Sequence, residues 1–493
     1  MGAVIALLLA IMTSNTLAQG PNDQSSGDQN SVGAAPAAVG SDTTTQLSEN
    51  PPISGLDRPS FEPGFGARSY LLPKAWVSEA VQSNVGGSLS SSNWTETTRA
   101  VGGIELQKLW KIHPLDIDYL GGVDWYNGAS GSLYQVHSLE ATQRFLWRTG
   151  QFAVRDSFSY LPEGGFGFAS FGGAGGIPGG NEGIGGGGLG GILTNTQFGS
   201  LVTQPRINNM STADITQYLS PRSSVVVAGS FGLTDFVDNT AGYLNSQEVI
   251  AQASYDYQLS KNNQVAVFYS FQQVHFPLAA VGSLGADAVQ LEYGHRITGK
   301  LDFIVGGGPE WIHRHELVET LLGIIPLGPC LNPTPLTPCA TQNSTFVTGS
   351  AQGLLRYRVS SRTDLQLQYL RYINAGSGFF GGAKTDAVRF TLGHSLSRRL
   401  NFTLDTGFSR NSRLLLATAP VASGTSNYAY WYIGGVVNRQ LGRQFSIFAN
   451  YQYDQLAFGS SGCIATAPSC GQRGGHNIGL VGLRWIPHPI RLD

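Results

Sequence analysis

The stretch Trp311-Ile312-His313-Arg314-His315-Glu316 carries the densest set of reactive side chains in the chain. In extended backbone, residues two apart share a face. His313 and His315 would therefore stand together as two imidazoles able to hold a divalent ion weakly. No complete ligand set surrounds them, so a solvated strand end is the simpler reading and no metal is expected. A second candidate is Ser170–Gly191, which is more than half glycine. Within it, Gly183-Ile184-Gly185-Gly186-Gly187-Gly188 fits the pattern GxGxxG. A phosphate cradle must follow a strand and open a helix, so that backbone N–H groups meet the anion. No helical period follows this tract, and so much glycine matches the pattern by chance. His394 and Ser395 are adjacent and would face opposite ways, a poor arrangement for a nucleophile and its base. Neither G-x-S-x-G nor H-E-x-x-H occurs. The expectation is a protein that is not an enzyme and carries no cofactor.

Four cysteines form two close pairs, Cys330 with Cys339 and Cys463 with Cys470, each in a turn-rich segment. In an exported chain such pairs read as disulfides closing a loop. Export is suggested by the first 18 residues: a short apolar run, Ala3–Met12, and then Thr16-Leu17-Ala18, the small-x-small pattern of a signal-peptidase site. Residues 19–66 are polar and rich in Ser, Gly, Asn and Pro, which suits a disordered periplasmic arm.

These candidates all lie at the ends of one recurring unit, found throughout residues 67–493. In "TDAVRFTLGHSLSRRLNFTLDTGFSRN", Val388, Phe390 and Leu392 alternate with Arg389, Thr391 and Gly393. A polar turn follows at Ser397-Arg398-Arg399, and then Leu400, Phe402 and Leu404 alternate with Asn401, Thr403 and Asp405. Period two on both arms of a tight turn is a β-hairpin. The unit recurs around Pro221-Arg222, Lys261-Asn262, Gly299-Lys300, Ser361-Arg362 and Gly442-Arg443. Short turns and long loops alternate without exception along about 18 predicted strands, 16 being the alternative count.

Composition fits a sheet in lipid. Charged residues make up 13% of the chain and aromatics 10%, the net charge is −2, and no internal apolar run is long enough for a membrane helix. The charge balance predicts no nucleic-acid partner. On the predicted strands one face is apolar. The other carries Glu105, Asp116, Asp118, Arg155, Glu248, Asp256, Glu292, Arg296, Arg356, Arg358, Asp364, Arg389, Asp405 and Asp454. Trp76, Trp110, Trp125, Trp147, Trp311, Trp431 and Trp485 fall near strand ends, with Tyr126, Tyr372, Tyr453 and His295, as membrane-interface rings do. A sheet in lipid can leave no unpaired edge and must close.

This pattern of strands, turns and loops resembles Gram-negative outer-membrane β-barrel proteins of the porin type. The resemblance covers about Arg68 to Pro487 and rests on no single motif. The C-terminus departs from it: many such barrels end on an aromatic residue, whereas here "HPIRLD" follows Trp485. It implies an all-β fold, a single closed antiparallel transmembrane β-barrel with short periplasmic turns, long extracellular loops and both termini periplasmic. The implied function is a channel for small polar solutes through a mixed-charge lumen. Alternatives are an exit channel for exopolysaccharide, or a structural or adhesive barrel with disulfide-closed surface loops. Lumen candidates are Arg296, Arg356, Arg358, Arg389, Glu292, Asp364 and Asp405. The glycine tract, with Gly172, Gly176, Gly183 and Gly188, is the candidate constriction. Expected partners are outer-membrane lipid and lipopolysaccharide, the assembly machinery, and small polar solutes or polysaccharide. A homo-oligomer is compatible with this reading.

Overall fold

The computed structural model describes residues 52–55, 69–83, 94–110, 112–127, 133–161, 205–237, 242–277, 282–321, 325–330, 336–416, 425–460 and 471–492. The glycine tract with its four candidate glycines, the leader segment, and Cys463 and Cys470 lie outside them.

Strands appear where apolar and polar residues alternate. The first half of the sheet comprises β1 (Tyr70–Ser83), β2 (Trp94–Lys108), β3 (Leu115–Asn127), β4 (Leu133–Trp147), β5 (Gly150–Leu161), β6 (Arg206–Ser220), β7 (Ser223–Phe236), β8 (Ser246–Ser260) and β9 (Asn263–His275). The second half comprises β10 (Ser283–Thr298), β11 (Leu301–Leu321), β12 (Ile325–Pro329), β13 (Cys339–Ser360), β14 (Thr363–Asn374), β15 (Ala383–Ser397), β16 (Leu400–Arg413), β17 (Asn427–Gln440), β18 (Phe445–Phe458), β19 (Arg473–Trp485) and β20 (Ile490–Arg491). Each ring strand pairs antiparallel with its neighbours, and β1 pairs with β19 from Ala75↔Trp485 to Gln82↔Ile478. The result is a closed antiparallel barrel of 18 strands. β12 lies outside the ring against β11, where Cys330 and Cys339 form a disulfide. β20 runs on along the start of β1.

The two faces are the reverse of a water-soluble sheet. On β8 the inward residues Glu248, Gln252 and Asp256 are 5%, 3% and 4% exposed, while the outward Val249 and Tyr255 are 45% and 47% exposed. Burying polar groups and exposing apolar ones is unfavourable in water and is what a barrel in lipid requires. Trp125, Trp147, Trp311, Trp431 and Trp485 face outward, and Trp431 packs on Tyr453 with ring centroids 5.1 Å apart. Trp76 does not join them. It shares the inward parity of Lys74 and Ser78 and packs on Val101, Leu120 and Phe448 inside the ring. Tyr126 and Tyr372 are likewise buried.

The wall is regular at the tight-turn end and divides near the loop end. β13 pairs with β14 only as far as Ala351↔Arg371. Beyond that point β11 and β13 continue together as a two-stranded ribbon to Glu319↔Cys339. The end of β14 keeps its pairing with β15 alone, up to Asn374↔Ala383, and turns inward.

Candidate functional site

Inside the ring, charged residues meet across adjacent strands. Arg356 of β13 forks onto Asp302 of β11, with Nε to Oδ1 at 3.0 Å and Nη2 to Oδ2 at 2.5 Å. Arg296 of β10 lies directly opposite Asp302 in register. Arg389 of β15 forks onto Asp405 of β16 at 3.1 and 3.0 Å, and the buried Tyr432 hydroxyl donates to the same carboxylate at 2.9 Å. Arg358 and Asp364 are cross-strand neighbours, and no ion pair is seen between them among the described residues. Gln352 donates to Glu292. Elsewhere Lys74 pairs with Asp118, Arg99 with Asp124, and Arg155 with Asp214. Of the four lumen arginines, Arg356 pairs with Asp302 and Arg389 with Asp405, two carboxylates on different strands. Asp302, which organises one of these groups, stood in the sequence at an inward position of "KLDFIVGG" and carried the same alternation signal as its neighbours. His313 and His315 face outward, His313 lying 3.2 Å from Asp287. Among the described residues no metal-binding cluster occurs.

Two pieces of chain lie inside the wall. The first is Pro52–Gly55. The Ser54 amide donates to Asp256 Oδ1 at 3.1 Å, and its hydroxyl bonds Asp256 and, at 2.7 Å, Ser254. Ile53 packs among Ala266, Ile304 and Leu354, three inward residues of β9, β11 and β13. Of the arm expected over residues 19–66, this described part sits within the ring. Placing a carboxylate at Ile53, beside Asp256 and in an apolar niche, should unseat it. We expect Ile53→Asp to raise amide exchange at Ser54 by roughly tenfold or more, since a local opening then costs less. Mass-spectrometric exchange on the folded protein reads this directly, and unchanged protection would contradict the seating.

The second piece is the tip of the β14–β15 hairpin, Ala375–Gly382, which we call the lid. Its sequence, "AGSGFFGG", has no charge and two phenylalanines. Gly376, Gly378 and Gly382 all take positive φ, which favours glycine. A Cβ on Gly378 would lie 2.6 Å from the Phe236 ring, and one on Gly382 would lie 2.7 Å from Leu284. Phe379 contacts Tyr243, Tyr428 and Phe458, with ring centroids 5.9, 5.3 and 5.8 Å away. Phe380 meets Tyr428 at 5.3 Å. The Leu244 amide donates to the Gly378 carbonyl at 3.0 Å, and the Leu414 amide to the Gly382 carbonyl at 3.0 Å. Since β8 and β18 stand half a circumference apart in the ring order, the lid touches opposite sides of the barrel. The loop end of the interior is therefore apolar and aromatic, unlike the uniformly polar lumen that alternation alone predicts.

No protein-family model matches the chain, and no curated protein matches it. Similar solved structures are outer-membrane proteins. OccK2 (OpdF) of Pseudomonas aeruginosa in complex with glucuronate is 10% identical, covers 86% of this chain and 98% of its own, and has a TM-score of 0.40. The ferric-catecholate import receptor Fiu of E. coli K12 is 8% identical, with coverages of 89% and 85% and a TM-score of 0.40. OccAB3 of Acinetobacter baumannii is 9% identical, with coverages of 85% and 99% and a TM-score of 0.38.

Proposed function

We propose that this chain is an integral outer-membrane channel for small polar solutes, with no catalytic activity, and that the arrangement described here is its closed state. The observation that carries this reading is the reversed alternation of a closed 18-strand ring, polar within and apolar without. A ring of this size leaves an aqueous passage unless something fills it. The lid and Pro52–Gly55 are the described segments that do so. Solute would cross once they move, selected by size and by the paired charges of the wall. In this reading the tight turns are periplasmic, the long loops extracellular and both termini periplasmic.

The obstruction also favours a second reading, a structural or adhesive barrel that never opens. Planar-bilayer recordings of the detergent-folded full chain separate the two. The channel reading expects rare openings in the parent protein and frequent ones when the lid is loosened. A folded barrel that stays silent in both forms belongs to the second reading.

A further inference from the structure

Beneath the lid is a small cavity of about 20 Å³, room for about one water, lined by β8, β9, β10, β11, β13 and β14. Its origin lies in the register. Gln252, Ser270, Ala288 and Glu310 face inward in one cross-strand row over β8 to β11. Ser270 and Ala288 in the middle of that row are small and leave space between the two longer side chains. Arg371, Tyr372 and Ile373 at the end of β14 line the opposite side, and Gln272 Nε2 ties the Ile373 carbonyl to β9 at 3.0 Å.

The polar groups around this space are unusual. Gln252, Gln290 and Glu310 are 3%, 4% and 5% exposed. Gln252 Oε1 and Nε2, Gln290 Oε1 and Glu310 Oε2 have no hydrogen-bond partner among the described residues. A buried polar atom left unpaired is costly, and three such side chains lining one cavity point to an occupant. That occupant must both donate and accept, because an amide offers N–H and C=O together and a carboxylate only accepts. Arg371 is forked onto Asp386 at 2.6 and 3.2 Å, and Lys384 acts on Glu310 from β15, so two acidic and two basic groups surround the cavity and favour neither a free anion nor a free cation.

We propose that Gln252, Gln290 and Glu310 form a binding site for a neutral polyhydroxylated solute, a sugar or polyol, exposed when the end of β14 and the lid withdraw. Hydroxyl groups of such a solute accept from Gln252 Nε2 and donate to Gln252 Oε1, Gln290 Oε1 and Glu310 Oε2. This deepens the channel reading and rests on it.

The test uses the full chain carrying Phe379→Ala and Phe380→Ala, recorded in a planar bilayer with glucose or maltose as probe. Glycine betaine, which has no hydroxyl, serves as control. Sugar is expected to interrupt the current in a concentration-dependent way, and betaine is not. Adding Gln252→Leu and Glu310→Leu should raise the half-blocking sugar concentration at least about tenfold, since two hydrogen-bonding groups are lost. Glu310→Gln, which keeps the shape, is the companion variant should the leucines impair folding. It should weaken sugar block measured as a fraction of its own open current, with heat-modifiable migration confirming that it is folded. Steady current with no sugar block, or block untouched by these substitutions, would overturn the site and leave the channel standing, with water as the cavity's occupant. If no current flows at all, the channel reading fails. Equilibrium binding of radiolabelled glucose to the folded Phe379→Ala/Phe380→Ala protein, with and without Glu310→Gln, then decides the site alone, and equal or absent binding rejects it.

Discussion

Replacing Phe379 and Phe380 together with alanine is expected to turn a nearly silent barrel into one that conducts in large, stable steps. Mean current should rise about tenfold or more, because a ring of this many strands holds an aqueous passage once its interior is cleared. The two rings are 2% and 0% exposed and bridge Tyr243 on one side to Tyr428 and Phe458 on the other. Losing a buried phenylalanine costs about 3–5 kcal/mol, and here the loss falls on the contacts that hold the lid across the mouth. The wall should survive, since cross-strand pairing of β14 with β15 ends at Asn374↔Ala383, before the lid begins. Heat-modifiable migration in electrophoresis checks that the variant is folded, and planar-bilayer recording reads the current. A folded variant as silent as its parent would show that the lid is not the barrier.

Asp405→Ala is expected to destabilise the barrel by about 3–5 kcal/mol, the cost of leaving a buried partner charge uncompensated. Arg389 is 7% exposed and Asp405 fully buried, and the Tyr432 hydroxyl loses its acceptor in the same substitution. The double change Arg389→Leu with Asp405→Leu should recover most of that loss, because two apolar side chains replace a pair whose desolvation offsets its attraction. Urea unfolding of the lipid-reconstituted protein, followed by electrophoretic mobility, measures both. Equal stability of Asp405→Ala and its parent would mean that water reaches Arg389 and that the pair does not brace the wall.

Much of this architecture is legible in the sequence because strand parity is a local property. Arg389 between Val388 and Phe390 must face away from both, and the short turns fix which strands are neighbours. The number of strands, the turn positions and the inward placement of Arg296, Arg356, Arg358, Arg389, Glu292, Asp364 and Asp405 follow from that rule. Trp76 breaks the expectation: its place near a strand end predicts a lipid-facing belt, and the structure puts it inside with Lys74 and Ser78, whose parity it shares. Which charges pair is not local. Asp302 joins Arg356 through the stagger between β11 and β13, which no period in either strand reveals. The lid was hidden for another reason. Its eight residues read as an ordinary loop, while the much longer glycine tract at 170–191 was the more obvious constriction. The signal was present nonetheless. Surface loops are normally polar, and a loop of Phe379 and Phe380 set among glycines needs a buried partner. The seating of Ile53 and Ser54 depends on a niche built from β8, β9, β11 and β13, and nothing in "PPISG" announces it.

The joint between β1 and β19 has a consequence for how the molecule is made. Its partners, Ala75 with Trp485 through Gln82 with Ile478, come from opposite ends of the chain. Every other seam of the ring can form between strands synthesised one after another, but this one waits for the last strand. Until then the sheet has two free margins, and bare peptide groups at a margin are not tolerated in hydrocarbon. Non-local pairing of this kind is also slow, because the ordering cost comes before the contacts that repay it. On the proposed outer-membrane reading we therefore expect biogenesis to use a catalyst or a shelter that holds the first strand's edge until the last arrives, and C-terminal truncation to yield degraded chain rather than a smaller pore.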